Sequence, residues 1–457
     1  MFRRFFEEGL AQSSYLIACD RTRQAAVIDP RRDVGQYVSA AEAAGLTITH
    51  AIDTHIHADF VSGSRELATL GARVVAGPGA GLVFDHVEIP HGSTLHVGDV
   101  ELVVLHTPGH TPEHISLVET HPAEPPRVFT GDTLFVGAVG RPDLLGEAVM
   151  RTLAGQLYES LFTTLMRLPD DLEVWPGHGA GSLCGSGIGA AAHSTIGDER
   201  RNNRLLRHSS RDAFVQDVLS DLPDTPPYFP RMKQLNKEGA PVMRLAAGVD
   251  APPAITAAAA ADAARNGAWI LDLRSTTEHA DGHPRGSLAI ASGPKIGYWA
   301  AWIVSAGSPI ILLTENAQRA AEVRRQLLTV GLDDVPGWIA GGFEAWRAAA
   351  LPVSTTPQIA AIDLRRGQVL PSALTIVDVR SPREWARDHV PGAVHIPLQE
   401  LSSRLGEVPR HQPIATMCEG GSRSALAASV LERAGIENVM NVAGGMSVWR
   451  TIESPAV

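Results

Sequence analysis

The sequence predicts an α/β protein of three domains, and three observations carry that prediction. Residues 1 to about 245 alternate short β-branched runs with Gly/Pro turns and helical stretches. The remainder contains an internal repeat. The length, 457 residues, is long for one domain and natural for several.

In chain order, SYLIAC (14–19), QAAVIDP (24–30), ARVVAGP (72–78) and VELVVLHTPG (100–109) read as strands. VGQYVSAAEAAG (34–45) and GSRELATLG (63–71) read as helices. DLPDTPPYFPRM (221–232) is too proline-rich for either and is expected to be a long connection. An alanine-rich helix then opens a new domain near residue 246. Within the second half, WILDLRSTTEHADGHPRGSLAI (269–290) parallels TIVDVRSPREWARDHVPGAVHI (375–396), and DDVPGWIAGGFEAW (333–346) parallels ENVMNVAGGMSVW (437–449). The offset is 106 residues at Asp272/Asp378 and 104 at Gly331/Gly435. The expected domains are therefore 1–245, 246–355 and 356–457.

Composition narrows the function classes. Hydrophobic residues make up 44%, enough for ordinary globular cores. The formal net charge of −11 argues against a nucleic-acid surface, which needs a basic stripe; RRNNR (200–204) is short and reads as a solvated or subunit-contact face. The three cysteines, Cys19, Cys184 and Cys418, are too few for a disulfide framework and suit a reducing compartment. MFRRFFEEGL lacks an apolar core and is not expected to be a secretory leader. No apolar run reaches membrane-spanning length, so a cytoplasmic location with no membrane partner is expected. The mixed-charge helical stretch 198–220 suits a subunit contact, and a homo-oligomer is expected.

The chemistry begins at THIHADF (54–60), which carries His55, His57 and Asp59 at alternate positions of one turning segment. It is followed by TPGHTPEH (107–114), FTGDTLF (129–135) and WPGHGAG (175–181). Each places a His or Asp in a Gly-containing turn after an apolar run. Four such turns in this order resemble the metallo-β-lactamase fold over essentially the first 240 residues. The resemblance implies an αββα sandwich with metal at one edge of two packed sheets. Two-metal hydrolases of that family carry a histidine where this chain has Phe60, and a phenyl ring ligates nothing. One metal is therefore expected, as in the persulfide dioxygenase branch. Its motif matches assign the ligands to His55, His110 and Asp132, a two-histidine, one-carboxylate set that suits non-haem Fe(II); zinc is the alternative. His57, Asp59 and His178 are then expected to orient ligands or hold water. VGRPDLLG (139–146) matches a segment lining the family's thiol pocket, which makes Arg141 and Asp143 candidates for substrate binding. An Arg–Asp pair that simply pins the loop is the competing reading. Cys184, in GAGSLCGSG (179–187), is expected on an accessible loop and is a further candidate for contact with substrate sulfur.

MCEGGSRSALAASVLERAG (417–435) places Cys418 after an apolar run and before a helix. Between Cys418 and Arg423 lie Glu419, Gly420, Gly421 and Ser422. The glycines let backbone N–H groups turn toward the sulfur, and the helix N-terminus and Arg423 add positive charge that favours a thiolate. With DVRSPREW (378–385) and DHVPGAVHIP (388–397) ahead of it, this region resembles a rhodanese domain. Asp388 stands where that family usually has glycine. In the earlier repeat the equivalent segment is TENAQR (314–319), with Thr314 in place of the nucleophile. That domain is rhodanese-like and expected to be inactive.

These resemblances imply oxidation of a low-molecular-weight thiol persulfide by O₂ to sulfite and thiol, coupled to sulfur transfer among thiosulfate, sulfite and a persulfide. Two other readings stay open at this point: a zinc thioester hydrolase resembling glyoxalase II, and a non-catalytic sulfur-binding scaffold.

Overall fold

The structure, a computed structural model, describes residues 1–120, 125–291, 293–367 and 374–451. It divides into two compact units, Met1–Val249 with Leu328–Gly331, and Asp250–Leu327 with Leu332–Val457.

The first unit is an αββα sandwich. One six-stranded sheet runs in the order Phe2–Glu7, Gln12–Cys19, Gln24–Ile28, Thr47–Ile52, Arg73–Ala76, Val87–Glu88. The other runs Ser194–Thr195, Glu173–Pro176, Arg127–Gly131, Ile115–Thr120, Val100–His106, Thr94–Val97. Side chains alternate across a strand, so one strand serves two cores. In Gln12–Cys19, Tyr15 and Ile17 meet Leu102, Val104, Leu117 and Phe129 between the sheets. Leu16 and Ala18 point the other way, onto Tyr37, Ala40 and Ala41 of the helix Gly35–Ala43. On the outer face of the second sheet, Ala154, Leu157 and Leu161 pack on Val128 and Val174. Both faces of each sheet are thus covered, which explains why the strand Gln12–Cys19 is buried at every position. The proline-rich stretch expected as a connection proves helical at its end, because Pro230 sits in the first turn of Phe229–Glu238, where a missing N–H costs nothing.

The second unit shows the repeat as two parallel five-stranded sheets of the same order. They are Ala254–Ile255, Gly337–Ile339, Ile310–Leu313, Trp269–Asp272, Leu288–Ala289, and Gln358–Ala360, Val439–Ala443, Ile414–Met417, Thr375–Asp378, Val394–His395. The repeated residues do repeated work. Buried Asp272 and Asp378 pair with Arg274 and Arg380. Ser275 and Ser381 each close a capping box with Glu278 and Glu384. The two copies also touch: Glu432 meets His283 at 3.0 Å, and Ala289 N–H donates to Ser429 Oγ at 3.1 Å.

Among the described residues, no helix is long and apolar enough to cross a membrane.

Candidate functional site

In the first unit the site forms where strands end. Thr47–Ile52 leads into the His55 turn, Val100–His106 into His110, Arg127–Gly131 into Asp132 and Glu173–Pro176 into His178. Gly131 makes the close approach possible. Its φ is +48°, and a Cβ there would lie 2.5 Å from His114 Nε2 and 2.6 Å from Thr54 Oγ1.

His55, His110 and Asp132 come together, each with a ligand atom within 4.8 Å of the others. His55 Nε2 lies 3.7 Å and His110 Nε2 3.5 Å from Asp132 Oδ2. The far side of each ring is held. His55 Nδ1 hydrogen-bonds Thr54 Oγ1 at 2.9 Å, and that hydroxyl donates to Asp29 Oδ2 at 2.9 Å. His110 Nδ1 donates to the Arg141 carbonyl at 2.8 Å. Both rings therefore carry their proton on Nδ1 and turn the Nε2 lone pair inward. Burial, reinforced at His55 by the charge of His57, keeps both histidines below their ordinary pKa and so neutral. His55 Nε2 and Asp132 Oδ2 are buried and have no hydrogen-bond partner among the described residues. Buried polar atoms without partners are costly, and a cation between these three donors would satisfy them. The residues present fit a metal ion held by two imidazoles and one carboxylate.

The other carboxylate oxygen of Asp132 is used differently. His178 Nδ1 lies 2.8 Å from Asp132 Oδ1, and its Nε2 lies 2.8 Å from Asp59 Oδ2. Burial opposes charge on this ring, but Asp132 and Asp59 overrule it and hold His178 well above its ordinary pKa. The ring thus bridges the two carboxyl groups. His57 points elsewhere, 3.2 Å from Asp29 and 3.8 Å from Asp53, with its ring 4.2 Å from the fully buried Phe60.

Two expectations about the substrate pocket need correction. Arg141 is buried and four of its five N–H donors are taken: Nε and Nη2 bind Asp143 at 2.7 and 2.6 Å, Nη2 also reaches Thr225, and Nη1 reaches the Leu183 carbonyl. The pair pins the loop whose Arg141 carbonyl orients His110. Cys184 is buried rather than on an accessible loop: it is 1% exposed, as Cys418 is, packs on Phe135 and Ala138, and its Sγ lies within 4.8 Å of ligand atoms of Asp59 and His178. Burial pushes its thiol up to about 12 against the pull of His178.

Sequence reading missed two positioning residues. His114 Nε2 accepts the Asp132 N–H at 2.9 Å, fixing the ligand's backbone; it stands in the quoted TPGHTPEH turn, so its type was visible though its task was not. Asn236 lies in the helix Phe229–Glu238. Its Nδ2 donates to the carbonyls of His57 and Phe60, and its Oδ1 accepts the Ser62 N–H, at 2.7–2.8 Å. Nothing in DLPDTPPYFPRM signals this. Asn236→Ala leaves those backbone groups without partners and is expected to destabilise the first unit by about 2–4 kcal/mol. Thermal unfolding and metal content after dialysis check this, since a loosened 55–62 turn should also release metal.

In the second unit, Cys418 lies between the strand Ile414–Met417 and the helix Ser422–Arg433. Its Sγ accepts from Gly421 N–H at 3.1 Å and lies 3.3 Å from Ser424 Oγ, whose one proton can turn to Sγ or to the Gly421 carbonyl at 3.1 Å. Gly421 has φ +105°, which turns that N–H inward and favours glycine. Ser424 was not foreseen. Arg423 is bound twice by Glu384, at 2.6 and 2.7 Å, so its charge is largely offset. Glu419 pairs with Arg450, which also holds Asp388. Gly420 and Ser422 are exposed.

Comparison with known proteins agrees with this architecture. Residues 8–178 match the metallo-beta-lactamase superfamily, and residues 256–349 and 360–452 each match the rhodanese-like domain. The chain is 32% identical to the hydroxyacylglutathione hydrolase of Polaromonas sp. over 256 residues, 49% of this chain and 94% of that protein. It is 28% identical to the mitochondrial persulfide dioxygenase ETHE1 of Bos taurus over 258 residues, 55% of this chain and 91% of that protein. A crystal structure of a metallo-beta-lactamase from Staphylococcus aureus subsp. aureus COL superimposes with a TM-score of 0.65 at 34% identity, covering 74% of this chain and 98% of that one.

Proposed function

The chain belongs to the metallo-β-lactamase superfamily and carries two rhodanese-like domains, and from that premise we propose that it is an Fe(II) persulfide dioxygenase joined to a sulfurtransferase. The observation that carries this reading is the division of labour among the donors. His55 Nε2, His110 Nε2 and Asp132 Oδ2 face one another, while Asp59 and His178 are bonded to each other at 2.8 Å. Phe60 stands in the remaining position, and Asp59 and His178, which with Cys184 form a separate buried donor group, pair with each other rather than facing the first three donors. Three protein ligands leave room for both an oxygen molecule and a sulfur substrate.

Bound iron would supply the oxidation of the persulfide's terminal sulfur by O₂. The protein's own part is to hold the three donors and to exclude competing water, since His55, His110 and Asp132 are all buried. The net reaction is R–S–SH + O₂ + H₂O → R–SH + H₂SO₃, which loses its protons at neutral pH. In the second unit, the Cys418 thiolate attacks the outer sulfur of thiosulfate and sulfite leaves, or the reverse. The Gly421 N–H and Ser424 hydroxyl stabilise the charge on Sγ.

The likeness to a hydroxyacylglutathione hydrolase favours one competitor, a zinc thioester hydrolase. Metal analysis of anaerobically purified protein, with oxygen uptake on glutathione persulfide, separates the two. One iron per chain with oxygen consumption is expected. Two tightly bound zinc ions with thioester hydrolysis and no oxygen uptake would overturn the proposal.

A further inference from the structure

The two repeats differ at a position whose backbone they share. At the offset of 106 residues, Gly282 of the Cys-less copy corresponds to Asp388 of the Cys418 copy. The carbonyl does the same work in both: Gly282 accepts from Arg274 Nη2 at 2.8 Å, and Asp388 accepts from Arg380 Nη2 at 2.7 Å. The Asp388 side chain is therefore an addition to a turn that the repeat also builds without one.

That addition redirects an arginine. In the Cys-less copy, Arg347 pairs with Glu344 of its own helix at 3.4 Å. Its counterpart is Arg450, which follows Trp449 as Arg347 follows Trp346, and Ser447 stands where Glu344 does. Arg450 turns instead to Asp388, with Nε on Oδ2 at 2.5 Å and Nη2 on Oδ1 at 3.1 Å. The rest of its fork grips Glu419, the residue after the nucleophile, with Nη1 on Oε1 at 2.5 Å and Nη2 on Oε2 at 3.0 Å. Four of the five N–H donors of Arg450 are thus spent on two carboxylates. Arg450, and after it Arg380, hold the Asp388 carboxyl down at about 2, so it stays ionised.

The place of this cluster matters for Cys418. The helix that carries Arg450 also holds the nucleophile's loop, because the Met446 and Ser447 N–H groups donate to the Cys418 and Glu419 carbonyls at 2.9 Å. Asp388, Arg450 and Glu419 are 32–35% exposed, which puts them at the rim of that loop. The neighbouring Arg380 is committed to Asp378, and Arg423 to Glu384. We infer that Asp388 is a positioning residue that sets the charge preference of Cys418: it occupies Arg450 and so withholds two of its donors from an anion arriving at the loop. This inference rests on the sulfurtransferase reading of Cys418. Thiosulfate, with two negative charges, loses more by it than a singly charged sulfur compound, because the Coulomb term scales with charge.

The test first reads the rim without sulfur transfer. Full-length protein is alkylated with iodoacetate and with iodoacetamide. In both, Sγ displaces iodide from a CH₂ group, but only the first carries a charge. Rates at Cys418 are followed by peptide mass spectrometry, and their ratio cancels the thiolate fraction. Asp388→Gly, which installs the other copy's residue, should raise the iodoacetate-to-iodoacetamide ratio about threefold, the scale of an exposed ion pair. Asp388→Glu keeps the carboxylate and should not. In the Arg450→Met background Asp388→Gly should bring no gain. In turnover, Asp388→Gly should lower KM for thiosulfate more than KM for singly charged methanethiosulfonate. A ratio that Asp388→Gly leaves unchanged overturns the inference. An equal gain in the Arg450→Met background also overturns it, since Asp388 would then act as a distant charge and not through Arg450. Failure of the sulfurtransferase reading would appear instead as wild-type protein that thiosulfate does not load, and it leaves the alkylation ratios unaltered.

Discussion

His110→Ala is expected to lose oxygen uptake on a thiol persulfide to below about one-hundredth of wild type. Removal of a group that merely orients a ligand costs 10–100-fold, and His110 offers its own Nε2, 3.5 Å from Asp132 Oδ2. The variant should also purify with less than one iron per chain. Thiosulfate–thiol sulfur transfer should stay near wild type, because Cys418 and its Gly421 and Ser424 donors belong to the other compact unit. A stability check guards the result: His110 is fully buried, but among the described residues its side chain makes one hydrogen bond, to the Arg141 carbonyl, so unfolding temperature should fall modestly. A variant with wild-type iron and normal oxygen uptake would remove His110 from the metal site. Asp59→Asn provides the contrast. It weakens the Asp59–His178 pair without touching the three donors, so it should lower oxygen uptake while iron remains bound.

How far the sequence reveals this site depends on the kind of contact. The strands were legible because apolar runs broken by Gly/Pro turns are local signals. The turns bearing His55, His110 and Asp132 stood out because each follows such a run. Contacts between distant segments were not legible. Asn236 holds the His57–Ser62 backbone from across 170 or so residues of chain, and its helix begins inside a proline-rich stretch whose composition reads as loop. Pro230 misled because proline breaks a helix interior but suits a first turn. Cys184 misled for a related reason. Glycines and serines around it suggest exposure, yet Phe135 and Ala138 cover it, and both lie on another segment. Arg141 shows the limit of reading charge. Its type fits an anion, but whether Asp143, Thr225 and the Leu183 carbonyl consume its donors is decided only in three dimensions. The repeat fared best, since paired motifs such as Asp272–Arg274 and Asp378–Arg380 close within three residues.

Cys418→Ser is expected to reduce thiosulfate–thiol sulfur transfer by roughly three orders of magnitude or more, the scale of a lost nucleophile, while oxygen uptake on supplied persulfide persists. The sharper half of this prediction concerns the other repeat. Thr314 occupies the equivalent position and is buried, with a hydroxyl that has no hydrogen-bond partner among the described residues, so Thr314→Cys places a thiol in a matching pocket between strand and helix. It should nevertheless create no second active site. In the active loop Gly421, at φ +105°, turns its N–H onto Sγ at 3.1 Å. The equivalent residue, Ala317, is not among the residues of positive φ, and the Asn316 side chain instead accepts the Arg319 N–H at 2.9 Å, capping the helix in a conventional way. The sulfur introduced there would lack the donors that hold its charge. The glutamate network differs too: Glu384 reaches across to Arg423, whereas Arg319 turns to Glu322 in its own helix. The triple variant Thr314→Cys, Asn316→Gly, Ala317→Gly should begin to restore loading by thiosulfate, read by mass spectrometry as one added sulfur. Loading of Thr314→Cys alone would show that backbone geometry is not the reason one repeat is silent, and near-normal transfer in Cys418→Ser would move the sulfur relay to another cysteine.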